Sequence, residues 1–234
     1  MSVSATENLD GLLVSLQLTD SAFPSGFYTL SHGLEGYAQA KAVDSTSLPG
    51  LLADLLRHTI GPTDATALAV VHRAASAGQW DLVVAADQRL HATKLNRGLR
   101  VASTRTGKQM LDVAREAFGG ALIDRYWQLV VDKVVPGSQA VAAGVVYAQA
   151  GVAVDRAVAS DLFAYAVSFL GAALRLRLTD HRRAQVLLRQ ISPVIVDVTK
   201  EALGRELADL GGCAPMADVM SGQHERAQAR LFAT

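Results

Sequence analysis

Glycine, proline and short polar clusters interrupt this chain every ~12–20 residues, and the stretches between them are rich in alanine and leucine with only short β-branched runs. That spacing, with the abundance of alanine and leucine, suits helices joined by short loops. An all-α fold is expected: a single-domain helical bundle spanning 1–234. The helices are placed at Leu9–Leu18, Ser31–Ala40, Leu48–Ile60 ending at Gly61-Pro62, and Thr63–Ala77 with Pro62 at its first turn. Further helices are expected over Leu82–Asn96 capped by Asp81, from beyond Gly98 to Phe118, and over Ala121–Asp132. Ser138 is the expected cap of Gln139–Ala150, and Asp155 that of Arg156–Arg177. The middle of the latter, LFAYAVSFLGAAL, is apolar on nearly every face and reads as the central helix. A last long helix starts at Thr179-Asp180 and runs to Leu210 with Pro193 inside it, where the missing N–H predicts a kink.

Charge narrows the partners. Lys+Arg 22 against Asp+Glu 22 provides no net field for nucleic acid or a membrane surface, and a chain near zero charge tends to associate with itself or a constant partner. One cysteine, Cys213, allows no internal disulfide. Residues 1–8 lack the basic end and apolar core of a secretory signal and read as a flexible N-terminus. The apolar run Leu162–Leu174 is thirteen residues long and broken by Ser168 and Gly171, short of the ~18 that suggest a membrane span. A soluble cytoplasmic protein is the expectation.

The familiar catalytic patterns are missing. Thr106-Gly107-Lys108-Gln109 fails as a phosphate loop, because Ala102 stands where its first glycine belongs and Gln109 where Ser or Thr should follow the lysine. No nucleophile elbow or reactive-cysteine signature occurs, so no catalytic residue is assigned. His32 and Glu35 have metal-ligand spacing on a helix, yet no second pair accompanies them, and no metal site is assigned. Between Arg89 and Lys108 lie Arg89, Lys94, Arg97, Arg100, Arg105 and Lys108 without an acid. Were the segment helical throughout, Lys94, Arg97, Arg105 and Lys108 would share a stripe that is either a solvated face or a surface for an anionic partner.

Two segments are unusual for a plain bundle. Phe23-Pro24-Ser25-Gly26-Phe27-Tyr28 is a turn in which Pro24 fixes one backbone angle and Gly26 permits a positive one, projecting aromatic rings either into the core or toward a partner. Past Gly211-Gly212, the tail carries Met216, Val219, Met220, Leu231 and Phe232, too apolar to stay solvated; it must dock on this chain or on another.

These segments also carry a resemblance. Pro24, Gly26, Ser31, Gly33, Leu34 and Glu35, with Tyr28 at the aromatic site and Thr29 at the hydroxyl site, resemble the N-terminal signature of the urease accessory protein UreF family, roughly PxGGF[ST]xSxGLE; Phe27 replaces the second glycine. Arg100, Ala102, Ser103, Gly107 and Lys108 are similar to its R.AS...G[RK] segment, and Gln139–Gly144 to its HAVAFG stretch. Arg177–Gln185 stands where the family has a PLGQTDGQ-like connection, with His181 in place of a glutamine. Pro215, Met216, Ala217, Asp218, His224, Glu225, Arg230, Leu231 and Phe232 resemble the closing P[LM]xDxxxxxHExxxxRLF[ST] motif.

The resemblance implies a dimeric, all-helical, non-catalytic adaptor in the cytoplasm. With UreD (also called UreH) it recruits and regulates the GTPase UreG, so that nickel, handled in transit by the complex and not held tightly by this chain, reaches the urease apoprotein. Partner-binding roles then fall on Phe23, Pro24, Gly26, Tyr28, Ser31, Gly33, Glu35, Arg100, Ser103, Gly107, Lys108, His224, Glu225, Arg230, Leu231 and Phe232. Residues 213–234 become a docking segment that orders on UreD, and the basic stripe with the Gly107 region becomes part of the GTPase-facing surface. The alternative is a helical paralogue serving as scaffold for another metalloenzyme, or for an anionic partner through the Arg89–Lys108 stripe.

Overall fold

A computed structural model describes the backbone of residues 5–233 and the side chains of residues 9–233. Of the N-terminal segment 1–8, residues 1–4 lie outside that range, and Ala5 opens the first helix. The elements are α1 (Ala5–Thr19), a 3₁₀ turn (Phe27–Thr29), α2 (Leu34–Gln39), α3 (Leu48–Leu55), a π-helical segment (Leu56–Ala65) and α4 (Thr66–Ser76). They continue with α5 (Trp80–Thr93), α6 (Arg97–Ala117), α7 (Ala121–Val131), α8 (Gln139–Gln149), α9 (Val154–Arg175) and α10 (His181–Gly204). A 3₁₀ turn (Leu207–Asp209) and α11 (Pro215–Glu225) follow. No strand occurs among the described residues, and the all-α expectation holds.

The short helix α8 lies deepest. Every residue from Gln139 to Tyr147 is buried, and α4, α6, α7 and α9 pack around it. The long apolar helix α9 has the length and composition to cross a membrane, but here it is mostly covered by α10, α1, α4 and α8. Burial of large side chains such as Tyr126, Tyr147, Phe169, Leu68 and Leu162 contributes roughly 1.5–3 kcal/mol each for the aliphatic and phenylalanine members, before ordering costs.

Several helix ends differ from the sequence expectation, each for a local reason. Gly61-Pro62 does not end a helix: α3, the π segment and α4 form one continuous rod with Pro62 inside it. The wider π winding accommodates the ring, and the disturbed ladder is repaired from outside. Thr63 Oγ1 donates to Thr59 O at 2.6 Å and Thr66 Oγ1 to Gly61 O at 2.9 Å. The His58 carbonyl, one turn before Pro62, accepts from Cys213 N at 3.1 Å.

Helix α2 begins at Leu34 and not Ser31, because His32 (φ 55) and Gly33 (φ 84) lie in the left-handed region. Asp81 is inside α5, whose N-cap is Gln79. Ser138 holds the N-cap position of α8 but makes no side-chain cap bond, and α9 starts at Val154 with Ala153 as cap, leaving Asp155 in its first turn. Asp180 does cap α10, accepting from Arg183 N at 2.9 Å. That helix stops at Gly204, short of Leu210. Arg73 takes the Leu203 and Arg205 carbonyls there, and Arg89 takes those of Ala208 and Leu210, so the connection is stitched to α4 and α5.

Candidate functional site

The two unusual segments meet at Glu35. Its carboxylate, on the first turn of α2 and only 4% exposed, accepts from His224 Nε2 at 2.7 Å, Leu231 N at 2.7 Å and Phe232 N at 3.0 Å. Ala233 N donates to Thr29 O at 2.9 Å, which brings the segment just after Phe232 to the Phe27–Thr29 turn. Close approach of α2 and α11 depends on Gly36, where a Cβ would overlap the Met220 carbonyl. Arg175 of α9 lies 4.1 Å from the Tyr28 ring centroid and 4.2 Å from that of Phe232, placing a cation against both aromatic faces.

The tail therefore docks on its own chain. Of its apolar residues, Met220 and Phe232 enter the core, whereas Met216, Val219 and Leu231 remain exposed. In the N-terminal signature, Phe23, Ser31, Gly33 and Glu35 are buried; Pro24 and Tyr28 face solvent, and Gly26 (φ 84) is partly covered. The buried members act through what they hold. Glu225, partly buried, approaches the start of α6 through Gly98 N at 3.5 Å, and Arg230 is exposed.

The basic stripe does not form. The chain leaves helical geometry at Lys94 and re-enters after Asn96, which separates Lys94 from the α6 arginines. Lys94 pairs with Asp64 at 2.8 Å, Arg100 binds the Lys94 and Leu95 carbonyls, and Arg105 donates to Thr29 Oγ1. What remains is a shallow groove of Arg97, Arg105 and Arg230 beside Glu225. Gly107 is buried against the loop before α8, where a Cβ would overlap the Gly137 carbonyl; it lies in no open surface. Ser103 Oγ, next to it, accepts from Gln139 N at 3.4 Å, while Lys108 is exposed 6.0 Å from the Trp127 ring centroid.

Sequence reasoning passed over Asp87. Fully buried on α5, its carboxylate accepts from Tyr126 Oη at 2.7 Å, Gly137 N at 2.8 Å and Ser138 N at 3.0 Å. Burial, then the Asp87 charge, hold the Tyr126 phenol well above its ordinary pKa. An aspartate in mid-helix directly after Val83-Val84-Ala85-Ala86 was the available signal, since such a residue is rarely enclosed without partners.

His32 does not join Glu35 at a metal: its Nε2 meets Ser168 Oγ at 2.8 Å. No group of three or more His, Cys, Asp or Glu side chains suited to a metal occurs among the described residues. Burial lowers the His32 pKa to about 4, so the ring is neutral at pH 7. Burial pushes Asp161 the other way, up to about 6, although Gln139 Nε2 donates to it at 2.9 Å.

The sign for Asp161 is that of a destabilising charge. Its native pKa lies above the unfolded value, so its penalty is absent below pH 4, grows as pH rises toward 6 and is complete beyond. Asp161→Asn is expected to raise stability at pH 8 by up to about 3 kcal/mol and to leave it unchanged near pH 4, as read by urea unfolding at both pH values. Equal stability of the two proteins at pH 8 would refute it.

Comparison with known proteins accords with this architecture. The UreF family's sequence profile matches residues 42–192. Urease accessory protein UreF of Trichodesmium erythraeum is 31% identical over 225 residues, covering 94% of this chain and 96% of that protein. UreF of Kocuria rhizophila is 30% identical over 96% of this chain and 97% of its own length. Urease accessory protein UreF 2 of Brucella canis is 26% identical over 98% of this chain and 94% of its own. Such coverage extends well beyond the profile match, which includes neither Glu35 nor His224. An accessory protein serves an enzyme and is not one, in keeping with a site built from clasps and packed loops. The chain belongs to the UreF family of urease accessory proteins.

Proposed function

We propose that this chain is a non-catalytic adaptor of urease maturation: with UreD (UreH) it recruits and regulates the GTPase UreG, so that nickel passes through the assembled complex to the urease apoprotein in the cytoplasm. The observation that carries this reading is the Glu35 clasp. It joins the Ser31–Glu35 and His224–Phe232 segments, and Tyr28, Met216, Val219 and Leu231 in and near these segments are each more than half exposed. Exposed apolar side chains on a fixed frame are the material of binding hot spots, and they suit UreD. The Arg97, Arg105 and Arg230 groove next to them suits an acidic surface of the GTPase.

A second apolar face supports self-association. Leu9, Leu12, Leu13 and Leu16 recur at i, i+3, i+4 and i+7 on α1, and each is about half exposed or more, while Val14, Ser15 and Leu18 face inward. Such a row is normally covered, and a second copy of this chain is the occupant the reading assigns.

The test mixes this chain with UreD and with UreG loaded with GTP analogue or GDP, sizing the products by light scattering. A stoichiometric complex that requires UreD and changes with nucleotide is expected. Val219→Asp with Leu231→Asp should weaken UreD binding roughly 30-fold or more without altering the circular dichroism spectrum, and Leu13→Glu with Leu16→Glu should halve the mass of the free protein. Three folded proteins that form no complex would sink the reading.

A further inference from the structure

Behind the closing segment lies a cavity of about 160 Å³, close to the size of an engineered apolar cavity that admits benzene. Its lining is divided. Leu30, Leu55, Ile60 and Leu99 contribute hydrocarbon, whereas Asp64, Asp161, Asp218 and Lys94 contribute charge, three carboxylates against one ammonium. Lys94 is already committed: its Nζ lies 2.8 and 3.0 Å from the two oxygens of Asp64.

Asp161 is left short. Only 9% exposed, it accepts one hydrogen bond, on Oδ1 from Gln139, and its other oxygen has no partner among the described residues. Burial and the nearby Asp64 raise its pKa, as expected for a carboxylate lacking a cation. The remaining cavity groups supply none. His32 is neutral, Thr59 Oγ1 is buried without a hydrogen-bond partner, and Tyr165 presents a ring and a phenol. Three carboxylates against one ammonium in the lining, with no converging ligand set among the described residues, suit a monovalent organic cation better than a chelated ion. The hydrocarbon wall suits an alkyl body.

We propose that this cavity is a binding site for a small aliphatic ammonium ion, its –NH₃⁺ group paired with Asp161 and its alkyl chain lying along Leu30, Leu55, Ile60 and Leu99. The ligand does for Asp161 what Lys94 does for Asp64. Because the closing segment supplies Gly212, Ala214 and Ala217 to the cavity wall, occupancy and seating of that segment are linked.

The experiment is a calorimetric titration of the full chain with n-butylammonium chloride at pH 8, with butan-1-ol, KCl and NiCl₂ as separate arms. Saturable binding of the amine is expected, weakened at least tenfold by Asp161→Asn and by lowering the pH to 5, where Asp161 is protonated beside Asp64, Asp218, Lys94, His32 and Tyr165. Asp161→Asn is expected to be the more stable protein at pH 8, and its circular dichroism and urea unfolding, measured alongside, separate loss of binding from loss of fold. Ala217→Leu, which fills the cavity without changing charge, should abolish binding too. Butan-1-ol binding as well as the amine, an unaffected Asp161→Asn variant, no heat from the amine, or displacement of the amine by KCl or NiCl₂ at equal concentration would each overturn the proposal.

Discussion

Replacing Glu35 with alanine is expected to cost about 3–5 kcal/mol of stability and to free the last twenty residues of the chain. The size follows from what the carboxylate holds. His224, 2% exposed, and the N–H groups of Leu231 and Phe232 all point at it, and removal strands three donors, of which the His224 ring and the Phe232 amide are buried. Each stranded donor costs about 1–3 kcal/mol if it stays buried, so the segment will detach to recover water for them. Detachment limits the loss, exposes Phe232 and uncovers Arg175. Glu35→Gln keeps one carbonyl oxygen and should lose about half as much. Amide exchange reads the outcome directly: protection at Leu231, Phe232 and Ala233 should vanish in Glu35→Ala, while α8, buried throughout, keeps its own. Unchanged protection of the Leu231 and Phe232 amides would refute the clasp.

This clasp explains why two motifs from opposite ends of the chain are informative together. The string from Ser31 to Glu35 and the string from His224 to Phe232 are halves of one hydrogen-bonded unit. Sequence reading recognised both, through their resemblance to a family, without seeing that they touch, because nothing in a linear chain ties residue 35 to residue 224. The helices were legible from the spacing of breakers, since periodic burial needs only local information. Pro62 misled for a definable reason: proline ends a helix unless the surrounding ladder can adjust, and here the winding widens to π while Cys213, far along the chain, satisfies the His58 carbonyl one turn before the ring. The basic stripe failed in the same way. Six cations in twenty residues look like a surface, yet Lys94 answers a buried Asp64 and Arg89 and Arg100 answer backbone carbonyls. Long-range polar pairing, which propensity does not encode, separates the reading from the fold.

The same distinction makes Asp87 the most consequential residue that sequence alone passed over. Asp87→Ala is expected to destabilise the bundle by about 3–5 kcal/mol, because three donors from α7 and the loop before α8 then face an apolar void. Asp87→Asn, keeping an acceptor but placing an amide N–H near other donors, should lie between. Gly107→Ala strikes the same loop from the opposite side, where a Cβ would overlap the Gly137 carbonyl that the Asp87 bonds help to fix. The two effects are therefore not independent. Once Asp87→Ala has released residues 137 and 138, the loop can retreat from a methyl at 107, and the double variant should be at least ~1 kcal/mol more stable than the sum of the single losses predicts. Urea unfolding of the four proteins closes that cycle. Strict additivity would mean that Asp87 stabilises α7 through Tyr126 alone and that the 137–138 loop is held in place by Gly107 packing without it.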